Sequence, residues 1–218
     1  MNVIAHAHVA LDLGPVSPSY VLGAVAPDLA TMAQVRIHRD RLPDPVAHGY
    51  RCHLATDASF HDHPGFRSGS DAIAGELAAR HVGRWASRAV GHVGWELMLD
   101  GTLLGTPAHA AFLDALDLGE HVLDALDDAD RVRWERLLAW RGRAGPRYDD
   151  PAWIADRLVA ILAPHPRLGF GPEHVAAVTA VLTDHRPVVE AAAAEVLATT
   201  AARTGARLRG DAARRAGI

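Results

Sequence analysis

Two short stretches of the sequence place histidine and carboxylate side chains one helical turn apart. His53 and Asp57 are four positions apart, and His61 follows one turn later. His92 and Glu96 repeat the same spacing further along the chain. Residues four apart share one face of an α-helix, so imidazole and carboxylate would point the same way. Nitrogen and oxygen ligands without a thiolate suit Zn²⁺, Mn²⁺ or Fe, so the pattern predicts a metal centre.

Three further residues strengthen this prediction. Asp28 closes the apolar segment 23–28, where a charge is costly unless it is paired or bound to a metal. His6 and His8 lie in the apolar segment 3–11. The chain has 14 histidines, and ten of them precede position 110. Because neutral imidazole is the commonest metal ligand, an excess of histidine in one half favours a metal site there.

The remaining pattern predicts the scaffold that must hold these side chains. The chain has 218 residues, 49% of them hydrophobic and 22% charged, which is typical of a folded globular protein. Apolar residues recur mostly at spacings of three and four, with few β-branched alternations. We therefore predict an all-α fold, a single helical bundle over residues 1–204, followed by an arginine-rich flexible tail over residues 205–218.

Proline and capping residues predict where individual helices begin. Ser17-Pro18 would open a helix towards Asp28, and Asp150-Pro151 one that reaches Leu162. Gly171-Pro172 would open a helix to about Asp184, and Pro187 would start another that reaches about Arg203. Turn-rich segments are expected at 39–45, 63–70, 141–148 and 164–171.

Composition excludes several classes of partner and compartment. The formal net charge of −4 gives no electrostatic basis for binding nucleic acid. The single cysteine, Cys52, cannot form an internal disulfide, which favours a reducing compartment. No apolar stretch approaches the roughly 20 residues that a membrane helix needs, and the N-terminus lacks the features of a signal peptide. We therefore expect a soluble, cytoplasmic protein.

The opening decapeptide Met-Asn-Val-Ile-Ala-His-Ala-His-Val-Ala, which contains His6 and His8, resembles the start of acyl carrier protein phosphodiesterases. Their signature there is Met-Asn-aromatic-Leu-Ala-His-Leu-His-Leu-Ala. The segment ending at Asp28 is similar to their Gly-Asn-Leu-Leu-Ala-Asp, and 49–57 falls where they have Gly-Ile-x-x-His-Arg-x-Ile-Asp. On a later helix their Asp-His pair is Glu96-Leu97 here. The resemblance implies an all-α fold related to HD-domain phosphohydrolases and metal-dependent release of 4′-phosphopantetheine from holo acyl carrier protein.

A second resemblance arises from the ligand set as a whole. Zinc-dependent phospholipases C and P1-type nucleases use an N-terminal His, an Asp, His-x3-Asp, a further His and His-x3-Glu. The residues here that are similar to this set are His8, Asp28, His53, Asp57, His61, His92 and Glu96. Members also carry a Gly-x-x-x-Pro-Asp segment like the one at 23–28. They are helical phosphodiesterases with a zinc cluster, so both resemblances imply one reaction class.

The sequence thus predicts a metal-dependent phosphodiester hydrolase that uses zinc or manganese, with iron as a further possibility. Its predicted metal ligands are His6, His8, Asp28, His53, Asp57, His92 and Glu96. Catalytic roles fall to Asp57, His61 and Glu96, with Asp57 as the candidate carboxylate that bridges metal ions. Arg51 and Arg88 are the candidates for binding phosphate oxygens, because a guanidinium offers two parallel donors.

The sequence leaves three alternative functions open. One is a phospholipase C-like activity, the second is a non-catalytic helical binding protein, and the third is an oxygenase with two iron ions. Acyl carrier protein is a possible acidic partner. Arg80, Arg84 and Arg88 lie at intervals of four and would form a basic stripe on one helix. That stripe would serve as a docking surface for such a partner, or it is an ordinary solvated face.

Overall fold

The fold is known from a computed structural model, which describes residues 1–14, 16–139, 147–162, 165, 168 and 170–216. These residues contain α-helices and short 3₁₀ segments and no strand, so the all-α prediction is confirmed. The α-helices are α1 (Val3–Asp12), α2 (Pro18–Ala33), α3 (Asp44–Phe60), α4 (Pro64–Ala79), α5 (Arg84–Gly101), α6 (Pro107–Asp117), α7 (Asp128–Leu138), α8 (Pro151–Leu162) and α9 (Val175–Ala216).

Two of the predicted helix starts are confirmed together with their caps. Helix α2 begins at Pro18, and the Ser17 hydroxyl accepts a hydrogen bond from the Tyr20 amide at 3.3 Å. Helix α8 begins at Pro151 and ends at Leu162. Such capping side chains accept hydrogen bonds from amides that have no partner within the helix.

The C-terminal helix differs from the prediction. Residues 175–216 form one helix that contains Pro187, so the predicted restart there is wrong, and the helix continues through most of the segment expected to be a flexible tail. Proline inside a helix costs roughly 3 kcal/mol. Pro187 is exposed, and the apolar side chains of Leu182 and Val189 are buried on either side of it. Their burial anchors both halves of the helix and offsets that cost.

The turn predicted over residues 63–70 is also wrong, because helix α4 begins there. His63 precedes Pro64, and its Nδ1 accepts a hydrogen bond from the Gly65 amide at 3.1 Å. Histidine therefore takes the capping role that serine or aspartate usually fills. Parts of two other predicted turns, residues 141–146 and residues 163, 164, 166, 167 and 169, lie outside the described residues.

The chain divides into two compact units where the sequence predicted one helical domain. The first unit comprises Met1–Phe60, Gly105–Gly145 and Leu197–Ile218, and the second comprises His61–Leu104 and Pro146–Val196. Each unit has its own apolar core. Ile4, Leu22 and Trp134 are fully buried in the first, and Ile73, Leu99 and Leu182 are fully buried in the second.

Two glycines allow helices α2 and α3 of the first unit to cross with their backbones nearly in contact. A methyl group added at Gly49 would overlap the carbonyl of Tyr20, and one at Gly23 would overlap the carbonyl of Val46. Only residues without a side chain fit at this crossing. The crossing brings the second half of α3, which carries His53 and Asp57, against α2.

Helices α4 and α5 of the second unit form a hairpin with a comparable close approach. A methyl group at Gly91 would overlap the carbonyl of Ser70, so this glycine lets α5 lie directly on α4. The short connection of residues 80–83 makes the two helices antiparallel neighbours. The hairpin therefore places the middle of α5, with His92, beside the first half of α4.

Within the described ranges, no helix has both the length and the apolar character needed to cross a membrane.

Candidate metal centres

The structure brings seven of the predicted site residues together in two groups, one in each unit. The first group, called the His6 cluster, consists of His6, Asp28, His53 and Asp57. The second group, called the His92 cluster, consists of His61, His92 and Glu96.

His6 lies on α1 with its side chain completely buried. Its Nδ1 is 2.9 Å from a carboxylate oxygen of Asp28 and 3.2 Å from the Asn2 carbonyl. Its Nε2 is buried and has no hydrogen-bond partner among the described atoms, although Asp57 Oδ1 is only 3.2 Å away. A buried polar atom without a well-directed hydrogen bond is costly, even beside a carboxylate. A metal ion at Nε2 would remove that cost.

His53 is fixed by a backbone carbonyl on α2. Its Nδ1 lies 2.9 Å from the Ala24 carbonyl, which accepts only from a protonated nitrogen. This hydrogen bond leaves Nε2 as the ring nitrogen that faces the cluster, and metal-binding histidines are usually oriented by such a hydrogen bond to the other nitrogen. That Nε2 lies 3.3 Å from Asp57 Oδ2, and the His53 ring stacks on His6 with centroids 3.9 Å apart.

Asp57 holds the centre of the His6 cluster, because its two oxygens face different imidazoles. The Met1 nitrogen lies 3.1 Å from Oδ1 as well. Burial opposes ionisation of Asp57, but the contacts with His53 and His6 outweigh it and hold the pKa far below its usual range. Burial likewise opposes protonation of His6, yet the charge of Asp28 and the contacts with both carboxylates raise its pKa to about 9.

These pKa shifts predict how the stability of the metal-free protein depends on pH. His6 contributes stability that is complete below about pH 6.5 and is lost as the pH rises towards 9, because its folded-state pKa is raised. This contribution to the free energy of unfolding is about 3 kcal/mol, because the pKa of His6 differs between the folded and unfolded states. Asp57 acts in the opposite direction, and its contribution is lost as the pH falls below about 4. The free energy of unfolding, measured in urea with chelator present, should therefore be highest between about pH 4 and 6.5.

The His6→Gln variant is the control for this prediction, since it removes the imidazole that titrates and should reduce the decline above pH 6.5. A wild-type stability that stays constant between pH 6.5 and 9 would contradict the arrangement described for His6.

The His92 cluster is more open than the His6 cluster. His61 Nε2 and His92 Nε2 each lie 3.2 Å from the same oxygen of Glu96. Glu96 is buried, whereas the imidazoles of His61 and His92 are 38% and 45% exposed. Burial opposes ionisation of Glu96, but groups that include both histidines lower its pKa well below the usual range. Glu96 is therefore a buried anion, and the imidazoles of His61 and His92 approach it from the solvent side.

The buried ring of Phe66 packs against both imidazoles of this cluster. Its centroid is 5.4 Å from the ring of His61 and 5.0 Å from that of His92, the latter edge to face. Trp95 packs against it in the same edge-to-face manner at 5.5 Å. Such aromatic contacts fix ring orientations. They hold the two imidazoles so that both face Glu96.

A cavity of about 290 Å³ opens directly on this cluster within the second unit. Its lining residues are His61, Phe66, Arg67, Ser70, Asp71, Ala74, Arg88 and His92. Arg67 Nε donates to the His61 carbonyl at 3.1 Å, which places its guanidinium beside the histidine. The cavity thus combines potential metal ligands with two cationic side chains.

Both groups have the donor chemistry of a metal centre. Ligand atoms of His6, Asp28 and His53 lie within 4.8 Å of one another, and so do those of His61, His92 and Glu96. Tetrahedral ligands about 2.1 Å from zinc are separated by roughly 3.4 Å from each other. The 3.2 Å between each imidazole Nε2 and Glu96 is close to that value.

Two predicted site residues lie in neither cluster and do not line the cavity. His8 Nε2 is 3.4 Å from a carboxylate oxygen of Asp12, one turn further along α1. Arg51 lies on α3 in the first unit and does not line the cavity beside His92. The predicted stripe is divided between two helices, because Arg80 caps the end of α4 whereas Arg84 and Arg88 lie on α5.

Sequence reasoning missed two residues that shape the second site, Phe66 and Arg67. Both fall in the segment that was predicted to be a turn, so no helical face was considered there. The spacing of Phe66, Arg67, Ser70, Asp71 and Ala74 is a helical pattern that would have revealed the face.

No family model, no curated protein and no solved structure matches this chain.

Proposed function

We propose that this protein is a metal-dependent hydrolase of phosphodiesters and that the reaction takes place in the cavity beside the His92 cluster. The main support for the proposal is the set of side chains that line this cavity. His61 and His92 line it and converge on Glu96, while Arg67 and Arg88 line the same space. Metal ligands and guanidinium groups around one small cavity are what a phosphoryl group requires.

The residues that would hold the metal are His61, His92 and Glu96, with His6, Asp28, His53 and Asp57 as a second centre. A bound divalent ion supplies a Lewis acid for the phosphoryl oxygens and lowers the pKa of a bound water towards about 7. Asp57 is suited to bridging, because its two oxygens face the Nε2 atoms of two different histidines.

The protein's own groups orient and neutralise the phosphate. Arg88 forms no ion pair with any described residue, so its guanidinium is available to an anion in the cavity. Arg67 is held by the His61 carbonyl and by Asp62, whose carboxylate is 3.5 Å from it. Arg67 therefore already has partners on the protein, whereas Arg88 is available to the ligand. Glu96 remains ionised and supplies the negative charge that a cation needs.

Hydrolysis of bis(p-nitrophenyl) phosphate tests the proposal. Protein stripped with chelator should be inactive and should recover activity with Zn²⁺ or Mn²⁺. Arg88→Met should lower kcat/KM by roughly 10- to 100-fold, the value of one or two hydrogen bonds to a charged group. Arg84→Met is the matched control, because Arg84 lies one turn earlier on α5 over the Trp85 ring and does not line the cavity.

Two other outcomes would indicate a different function for the protein. Absence of activity with every divalent metal, in a folded protein, would leave a helical binding protein. Iron as the resident metal would favour the oxygenase. Holo acyl carrier protein is the first biological phosphodiester to assay, with release of 4′-phosphopantetheine as the readout.

A further inference from the structure

The cavity beside the His92 cluster contains a charged residue that phosphate binding does not explain. Asp71 is exposed on α4 and lines the same cavity as Arg67 and Arg88. A carboxylate repels a phosphate, so a site built only for phosphate would not include one. Among the described residues Asp71 has no ion-pair partner, Arg88 included.

The geometry of the α4–α5 hairpin separates the cavity into two ends. Asp71 follows Arg67 by four positions, which is about 6 Å along α4. Arg88 precedes His92 by the same interval on α5, which runs in the opposite direction. Gly91 contacts Ser70 and Ala74, so the beginning of α5 lies beside the later turns of α4. One end of the cavity therefore holds the imidazoles, and the other holds Asp71 and the helical turn that carries Arg88.

We infer that Asp71 determines specificity and that the cavity takes phosphodiesters in which one ester arm carries a proton-donating group three to four bonds from the phosphate. This inference rests on the proposed function, since it places the phosphate at the imidazole end. The arm would reach along α4, and its N–H or O–H would donate to the Asp71 carboxylate. Hydrogen bonds to a charged group are worth more than neutral ones, so this contact discriminates between esters.

The lining of the cavity also limits the size of this arm. The volume of about 290 Å³ is at the lower limit for ligand pockets. Among the described residues that line the cavity, only Phe66 and Ala74 are apolar, and both are buried. Within the cavity, a short polar arm is accommodated, whereas a long alkyl chain finds little apolar surface.

Binding of two phosphonates by isothermal titration calorimetry tests the inference without catalysis. The probes are 3-aminopropylphosphonate and butylphosphonate, which have similar length and differ in the terminal donor. The wild type should bind the amino compound at least about 10-fold more tightly, and Asp71→Asn should reduce that ratio to near one. Asp114→Asn removes the same charge from an exposed position on α6 and should preserve the ratio.

Three results would overturn the inference. The first is equal affinity of the wild type for both phosphonates, and the second is a preference that persists in Asp71→Asn. The third concerns 3-(trimethylammonio)propylphosphonate, which carries the charge without a donor. If this probe binds as tightly as the amino compound, charge and not proton donation is recognised. Because these titrations do not need turnover, loss of the hydrolase proposal would show separately as a failure to cleave any phosphodiester.

Discussion

Replacing Glu96 with glutamine is expected to abolish metal binding at the His92 cluster and to lower kcat/KM for phosphodiesters by at least about 100-fold. The change keeps the volume of the side chain but removes the negative charge that both imidazoles contact. Loss of an outer-shell partner alone costs 10- to 100-fold in metal affinity, and a direct ligand should cost more. Metal titration by calorimetry and the p-nitrophenyl assay measure the two effects.

The control for this substitution is Glu76→Gln in the same unit. Glu76 contacts Arg80 and His185 at 2.8 and 3.1 Å and does not line the cavity, so its loss should leave metal content and activity unchanged. Retention of full activity in a folded Glu96→Gln variant would show that the reaction does not use this cluster.

The second large effect is expected at the crossing of α2 and α3. Gly49→Ala would make a methyl group overlap the Tyr20 carbonyl. The overlap can be relieved only if α2 and α3 move apart. Forcing such a contact should lower the free energy of unfolding by roughly 3 kcal/mol or more, a large share of the 5–15 kcal/mol typical of a domain. The shift would also pull His53 from the Ala24 carbonyl and weaken metal binding at the His6 cluster.

Gly75→Ala is the matched control for this prediction. Gly75 is exposed within α4, and a methyl group there would meet no atom within 4 Å. It should stabilise the protein by up to about 1 kcal/mol, since alanine favours helix over glycine. Urea unfolding curves of the two variants give the comparison. Equal stability of both would mean that the close helix crossing is absent.

Helix starts were predictable wherever a capping residue preceded proline, as at Ser17 and Asp150. Those signals depend only on neighbouring residues and on unpaired amides. The prediction at Pro187 was wrong because proline occurs inside helices as well as at their starts. Burial of Leu182 and Val189 on either side decides the outcome there, and that burial is a property of the tertiary fold.

The spacing of histidines and carboxylates predicted which side chains share a helix face, as with His53 and Asp57 or His92 and Glu96. It could not show that these pairs belong to different units, nor that His61 joins the second pair. Those groupings depend on how helices cross, and the crossings depend on Gly23, Gly49 and Gly91. Glycines at helix crossings are the signal that sequence reasoning left unused.

Metal content of the purified protein, measured by inductively coupled plasma mass spectrometry, tests the central claim most directly. Wild type, His53→Ala and Glu96→Gln are compared at equal protein concentration, and circular dichroism verifies that each is folded. We predict two or more equivalents of zinc or manganese in the wild type and a loss of metal in each variant. Absence of bound metal from the wild type, even after incubation with Zn²⁺ and Mn²⁺, would contradict the account.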